Sequence, residues 1–352
     1  LKDDGTADMS HIQAAVASIA PHVRDGQLVV VKSTVPPFTT EHHVAEPLRE
    51  RADVLVGFCP ERLAEGNAIH ECRHIPVVVG GVDEPSADAA ERFWRETLGV
   101  ETIRVGSARE AELVKLADNM WIDLNIALAT ELARLADRID VDVLPVIAAA
   151  NSLPKGQHHV NILLPSVGVG GYCLTKDPWF LDAFARAHGG RFRTAVVSRT
   201  VNDESPAYAA ERLHTALEER FPGLPPAERR VAVLGLSFKN DTGDCRFTPT
   251  KPAVDALLDR GYRVVAYDPW VSDADWRMFT GVERVHGAEE ALRGAHAAAF
   301  LAGHREFHGL SAAALGELLH AGAVVFDGRM FFPRETIDAF REAGLGFRGV
   351  GR

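Results

Sequence analysis

Apolar residues fall in short runs between polar turns, and the length and spacing of each run predict its element. "GQLVVVKSTVPP" carries the run Leu28–Val31, which reads as a buried strand ending in a polar loop closed by Pro36-Pro37. "ADVLVGFCPERLAEGNA" is a second strand followed by a charged loop, and "HIPVVVGG" is a third. Helical spacing flanks them in "DMSHIQAAVASIAPHV", with Ser10 or Asp8 as N-cap, and in "DEPSADAAERFWRETL". Strands alternating with helices predict a parallel sheet with helices on its faces.

Over residues 108–139 the spacing becomes strictly helical. Leu113, Leu116, Met120, Leu124, Leu128, Leu132 and Leu135 recur at steps of three and four. They predict one helix of roughly 30 residues, ~45 Å long. A helix of that length bridges two domains or forms a dimer interface. Residues 151–178, rich in Gly, Pro, His and Asn, read as loop, with a helix beginning near Asp177 and helices to about 220. "FPGLPPAERR" is a turn-rich linker. A second α/β unit follows: "VAVLGL" strand, "KPAVDALLDRGY" helix, then "RVVAYDP", "AHAAAFLA" and "AVVFDGR" strands.

A length of 352 residues suggests two or three domains. Apolar content of 46% and charge content of 25% are ordinary for a globular protein. The net charge of -11, without a long basic run, argues against nucleic acid or an anionic membrane surface as partner. It leaves room for an anionic small molecule held by a few local donors. No apolar run approaches the ~20 residues of a membrane span, and no signal peptide is visible. Four scattered cysteines without metal-ligand spacing fit a reduced, cytoplasmic setting. The chain opens "LKDDGTADMS" with no Met and no strand before it, so further residues are expected in front.

The chemistry concentrates in "GVGGYCLTKDPWF", residues 168–180. Glycines at 168, 170 and 171 let backbone approach a ligand closely. Lys176 and a nearby helix N-terminus favour a thiolate at Cys173. A turn with a small filler residue is the plainer reading of the same letters. Lys115 and Asn119 stand one helical turn apart, with Glu112 a turn behind; an ordinary solvated stripe has the same spacing. Glu61 and Glu65 follow a strand end, where sites form in parallel sheets, and Thr34 holds the matching place after the preceding strand. The pair His158-His159 lacks a third ligand, so no metal site is predicted. In the second α/β unit, a strand, a glycine loop, a helix and Asp268 look like a dinucleotide fingerprint. The loop "GLSFKNDTGDCR" lacks G-x-G-x-x-G, however. Its Lys239 and Arg246 suit a phosphate-bearing ligand, or a solvated loop.

Six stretches, "KSTVPP", "CPERLAEGNAI", "ELVKLADNMW", "VGVGGYCLTKD", "GLSFKNDTGDCR" and "FDGR", stand in one order along the chain. In them the sequence resembles the nucleotide-sugar 6-dehydrogenases, the UDP-glucose/GDP-mannose dehydrogenase family. The resemblance implies an α/β fold of two Rossmann-like parallel-sheet domains joined by a central helical domain with one long helix. The divisions would be 1–107, the remainder of an NAD-binding domain whose front part with G-x-G-x-x-G is missing; 108–222, carrying the catalytic cysteine; and 223–352, binding the UDP-sugar.

The family's chemistry is a double oxidation of a sugar C6 alcohol by NAD through a thioester on Cys173. By resemblance, Lys115 and Asn119 stabilise the oxyanion and contact substrate. Glu61 and Asp177 handle protons or place the hydrolytic water, with Thr34 helping. Ser33, Thr34, Glu65, Lys176 and Arg246 face the cofactor. Leu63, Leu164, Gly168, Gly170, Phe238, Lys239 and Arg329 hold the nucleotide sugar. A homodimer through the long helix is implied. "HVNILLPSVGVGG" and "DPWF" look like the acetamido-sugar branch, although His159 replaces its usual Arg and Tyr172 its usual His. "CLTKD" looks like the UDP-glucose branch. The expected substrate is a UDP-N-acetylhexosamine ahead of UDP-glucose. The alternative is a non-catalytic nucleotide-sugar-binding relative without a working NAD site.

Overall fold

The computed structural model describes all residues except 1, 3–5 and 64–65. The chain divides into two compact units, Leu1–Trp121 with Lys176–Val196, and Ile122–Thr175 with Val197–Arg352. Residues 108–222 are thus shared between the two.

In the first unit, strands β1 (Leu28–Val31), β2 (Leu55–Phe58), β3 (Val77–Gly81) and β4 (Thr102–Arg104) form one sheet in that order. β1–β2 and β3–β4 are parallel, but β2–β3 is antiparallel, so the sheet is mixed rather than all parallel. A parallel return needs a crossover element on the sheet face. The described part of the β2–β3 connection holds only a four-residue helix. Helices α1 (Ser10–Ile19), α2 (Glu46–Arg49), α3 (Ala68–Glu71) and α4 (Glu84–Leu98) belong to this unit. The cap of α1 is Met9, not Ser10 or Asp8: Ser10 is already helical, and Asp8 Oδ1 accepts its N–H at 3.0 Å. Val31, Val56, Phe58, Val78, Leu48 and Ala111 share one core.

The long helix forms as its spacing predicts: α5 runs Ala108–Arg138. α6 (Val143–Asn151) and a two-residue hairpin, β5 (Pro154–Lys155) with β6 (His158–His159), follow. α7 (Tyr172–Ala187) begins five residues before the expected Asp177. Its glycines stop at Gly171, and Pro178 forfeits only one backbone bond, the one that would reach the carbonyl of Leu174. α8 spans Arg193–Arg220.

The second unit is built on six parallel strands: β7 (Arg230–Leu234), β8 (Arg263–Tyr267), β9 (Glu283–Arg284), β10 (Ala297–Phe300), β11 (Val324–Asp327) and β12 (Gly346–Gly349). Their order is β12-β11-β10-β7-β8-β9. Alternation along these strands feeds two cores. Val231, Val233, Ala299 and Phe326 join residues of α5 and α8 such as Ala133 and Leu213 on one face. Ala232, Leu234, Ala298, Phe300 and Val325 point to the other. Among the described residues no helix is long and apolar enough to cross a membrane.

Candidate active site

Lys115 and Asn119 do not form a solvated stripe. They lie on the first half of α5 and are only 7% and 5% exposed. Lys115 Nζ stands 3.5 Å from Asn119 Oδ1. Asn119 Nδ2 donates to Asp177 Oδ2, and Asp177 Oδ1 accepts from Lys176 Nζ. Asp177 is fully buried, and the Lys176 ammonium also lies over the Phe180 ring at 4.7 Å. The first unit thus holds a chain of two cations, one amide and one carboxylate, buried except at the half-buried Lys176. Such a group can stabilise developing negative charge and pass a proton.

Along the same sheet, β1 and β2 end side by side, with Glu61 N–H pointing at Lys32 O at 3.5 Å. That places Ser33, Thr34 and Glu61 at the carboxyl end of a parallel pair. Ser33 is exposed, and Thr34, Glu61 and Leu63 are half-buried. Glu61 Oε1 accepts the N–H of Leu63, which fixes the carboxylate in its own loop. Glu65 lies outside the described residues. Strand carboxyl ends are where dinucleotides bind in open α/β sheets, so these residues suit NAD.

In the second unit, Cys173 is exposed at the second position of α7. The glycines before it serve a purpose the sequence did not reveal. A Cβ at Gly170 would lie 2.8 Å from Phe247 O and collide with Phe238; one at Gly168 (φ +147°) would lie 2.7 Å from Pro249 Cβ. The close approach expected of a ligand is made here by the protein's own Phe238 and Pro249. Gly171 N–H donates to Arg246 O at 2.9 Å, tying the two loops together.

Arg246 is exposed, clasped by Asp244, and stacks over the Tyr172 ring at 5.4 Å. Leu164 is exposed and Lys239 half-buried. Arg329 donates to Leu301 O and Phe238 O, each at 2.8 Å, so it meets the loop next to Lys239. Both are neutral acceptors, and no carboxylate pairs with this guanidinium among the described residues. Burial lowers its pKa to about 10, which still leaves it charged at neutral pH. A half-buried cation without a counter-charge at a strand end has the chemistry to pair with a phosphate.

Asp268, the acidic residue of the fingerprint-like segment, is not available to a ribose. Its carboxylate accepts from the N–H groups of Leu236, Trp270 and Val271 at 2.7, 2.8 and 3.1 Å, and from His304 Nε2 at 3.0 Å. Burial alone would raise its pKa; the His304 ring and the backbone donors outweigh it and hold the carboxyl below its ordinary value. Asp268 and His304 therefore organise the loop of Ser237 and Lys239.

Two further buried ionisable residues, Glu112 and Arg199, were assigned no role from the sequence. Glu112 is fully buried, with Thr40 N and Oγ1 donating to Oε1 at 2.7 Å each. Burial pushes its pKa to about 7 despite these bonds. Arg199 is 1% exposed and bonded to Asp123 and to the first turn of α7. Helical spacing gave Glu112 the right face; nothing local marked Arg199.

In the second unit, an open parallel sheet with cations after the ends of β7 and β11 is an architecture that suits nucleotide binding. The chain belongs to the UDP-glucose/GDP-mannose dehydrogenase family. The family's NAD binding domain matches residues 1–98, its central domain 109–204 and its UDP binding domain 232–334. UDP-N-acetyl-D-mannosamine dehydrogenase of Pyrococcus horikoshii is 33% identical over 350 residues, covering 98% of this chain and 77% of the relative. The enzyme of the same name from Methanocaldococcus jannaschii is 33% identical over 300 residues, 85% of this chain. The chain spans only 65% of that relative's length. A solved structure of the Pyrococcus horikoshii UDP-D-ManNAc dehydrogenase superposes with a TM-score of 0.86 at 32% identity, covering 99% of this chain and 78% of that one.

Proposed function

We propose that the full-length protein is a cytoplasmic, homodimeric, NAD-dependent UDP-sugar 6-dehydrogenase that takes a UDP-N-acetylhexosamine ahead of UDP-glucose. The observation that carries this reading is the placing of Cys173 on α7. It is exposed in the first turn, and Asp177, four residues on along the same helix, is joined to Asn119 and Lys176. Residues four apart on a helix share a face. A thiol and a proton-handling carboxylate are thereby on one element.

NAD, when bound, would supply the hydride acceptor for each oxidation. Ser33, Thr34, Lys176 and Arg246 would hold it. The chain's own residues do the rest. Asp177, or Glu61 through a water held by Thr34, takes the proton of the C6 alcohol as the aldehyde forms. The Cys173 thiolate adds to that aldehyde, giving a thiohemiacetal whose oxyanion is stabilised by Lys115 and Asn119. Loss of the second hydride leaves a thioester. Water, deprotonated by the same carboxylates, adds to its carbonyl and expels the thiolate, releasing the uronate. Lys239 and Arg329 pair with the pyrophosphate. Leu63, Leu164 and Phe238 line the sugar nucleotide together with the loop of Gly168 and Gly170, in which Gly170 packs on Phe238 and Gly168 on Pro249.

The substrate preference rests on the acetamido-like loop "HVNILLPSVGVGG" and on the names of the relatives above. A panel of UDP- and GDP-sugars with NAD and full-length protein, followed by absorbance of reduced cofactor, tests it. UDP-N-acetylhexosamines should give the highest kcat/KM. Faster turnover of UDP-glucose would reassign the sugar, and no turnover of any UDP-sugar would remove the enzyme reading.

A further inference from the structure

The first turn of α7 is one backbone bond short. In a regular helix the carbonyl of Leu174 accepts from residue 178, but Pro178 has no N–H. Arg199, on α8, supplies a donor in its place. Its Nη1 donates to Leu174 O at 3.2 Å and to Asp123 Oδ1, on α5, at 2.6 Å; its Nη2 pairs with Asp203. Asp123 is fully buried and accepts further from Ser198 Oγ at 2.7 Å and Asn202 Nδ2 at 2.8 Å. One buried ion pair thus ties α5 and α8 to the residue that follows Cys173. An apolar pair of similar volume commonly stabilises a core as well as a buried ion pair does. Stability by itself therefore does not explain a guanidinium aimed at this carbonyl.

We propose that Arg199, oriented by Asp123, is a positioning residue for Cys173: it replaces the backbone donor that Pro178 removes and so holds the thiol-bearing turn in helical form. The purpose assigned to it rests on Cys173 being the nucleophile proposed above. A thiol in the first turn is surrounded by N–H groups with no helical partner, and these favour thiolate. If the turn frays, those donors disperse.

The test uses full-length protein with Asp123→Leu and Arg199→Met together, which removes both charges and leaves neither stranded. The readout is alkylation of Cys173 by iodoacetamide, followed on its own peptide by mass spectrometry as a function of pH. It needs neither substrate nor NAD, so it stands apart from the activity reading. The doubly substituted protein should keep a cooperative melt. Its alkylation at pH 7 should slow about three- to tenfold, with the rate profile moved to higher pH. Adding Pro178→Ala restores an N–H at 178 and should bring the rate back to within about twofold of the parent. Should the double variant fail to fold, Arg199→Lys leaves Asp123 a counter-charge but only an unforked donor, and should show the same slowing. An alkylation profile that coincides with the parent's, or one that Pro178→Ala does not restore, overturns the proposal. If alkylation responds while the parent turns over no UDP-sugar, the activity reading fails and the positioning role stands.

Discussion

Glu112, in the first unit, and Arg329, in the second, answer burial in opposite ways: the acid's pKa rises and the guanidinium's falls. Glu112 has a folded pKa of about 7, raised by burial above the ordinary 4.5. Below pH 4.5 both folded and unfolded forms are protonated and nothing is lost. As pH rises through that value the unfolded chain ionises first, so stability falls until the folded pKa near 7 is passed. The full penalty is on the order of 3 kcal/mol, from about 1.4 kcal/mol per pH unit. Glu112→Gln mimics the protonated acid and can still accept from Thr40. Its melting temperature relative to the parent should therefore rise between pH 4.5 and 8. A difference that stays constant over that range contradicts the burial argument.

Arg329 meets only carbonyls. Arg329→Ala should weaken UDP binding roughly ten- to a hundredfold, since a charged hydrogen bond contributes about 1.5–3 kcal/mol. NAD binding should be nearly unchanged. Calorimetric titration with each ligand separately checks this; loss of NAD binding with UDP binding intact would reverse the assignment of the two sheets. The motif around Lys115 and Asn119 was legible in sequence, but their burial was not, because spacing gives a face without saying what covers it. Arg199 and Asp123 are 76 residues apart, beyond any local pattern.

The buried strands were legible because parallel strands are apolar on both faces: "LVVV", "VAVLGL" and "AAAF" announce themselves as runs. β9 and β12 were not, since "ER" and "GFRG" carry little apolar signal at the two edges of the sheet. The start of α7 was hidden by glycines before it and a proline within it. α5 was legible in length but not in which side it buries. Leu116 and Met120 are buried, whereas Leu124, Leu128 and Leu135 are exposed, the last at 55%. Their spacing of four and seven places them on one edge, and such an edge suits a second copy of the chain. Replacing Leu128 and Leu135 together by Asp should halve the mass seen by sedimentation while leaving the helical signal in place. An unchanged mass would contradict the proposed homodimer contact on α5.

For the molecule as a whole, the six-stranded parallel sheet explains how a chain of net charge -11 can hold an anionic nucleotide. The cations proposed for it, Lys239 and Arg329, are few, and they follow the ends of β7 and β11, where loops of one sheet converge. Asp268 is spent on backbone N–H groups and His304, which supports the proposed assignment of NAD to the strand ends of β1 and β2. The central claim is then the covalent role of Cys173, and reaction stoichiometry tests it most directly. With limiting UDP-sugar and excess NAD, the parent should form two reduced cofactors per sugar consumed. Cys173→Ala should stop at one or fewer, with aldehyde as the product, because without the thiol no thiohemiacetal forms for the second oxidation. Two reduced cofactors per sugar from Cys173→Ala at undiminished rate would contradict the account.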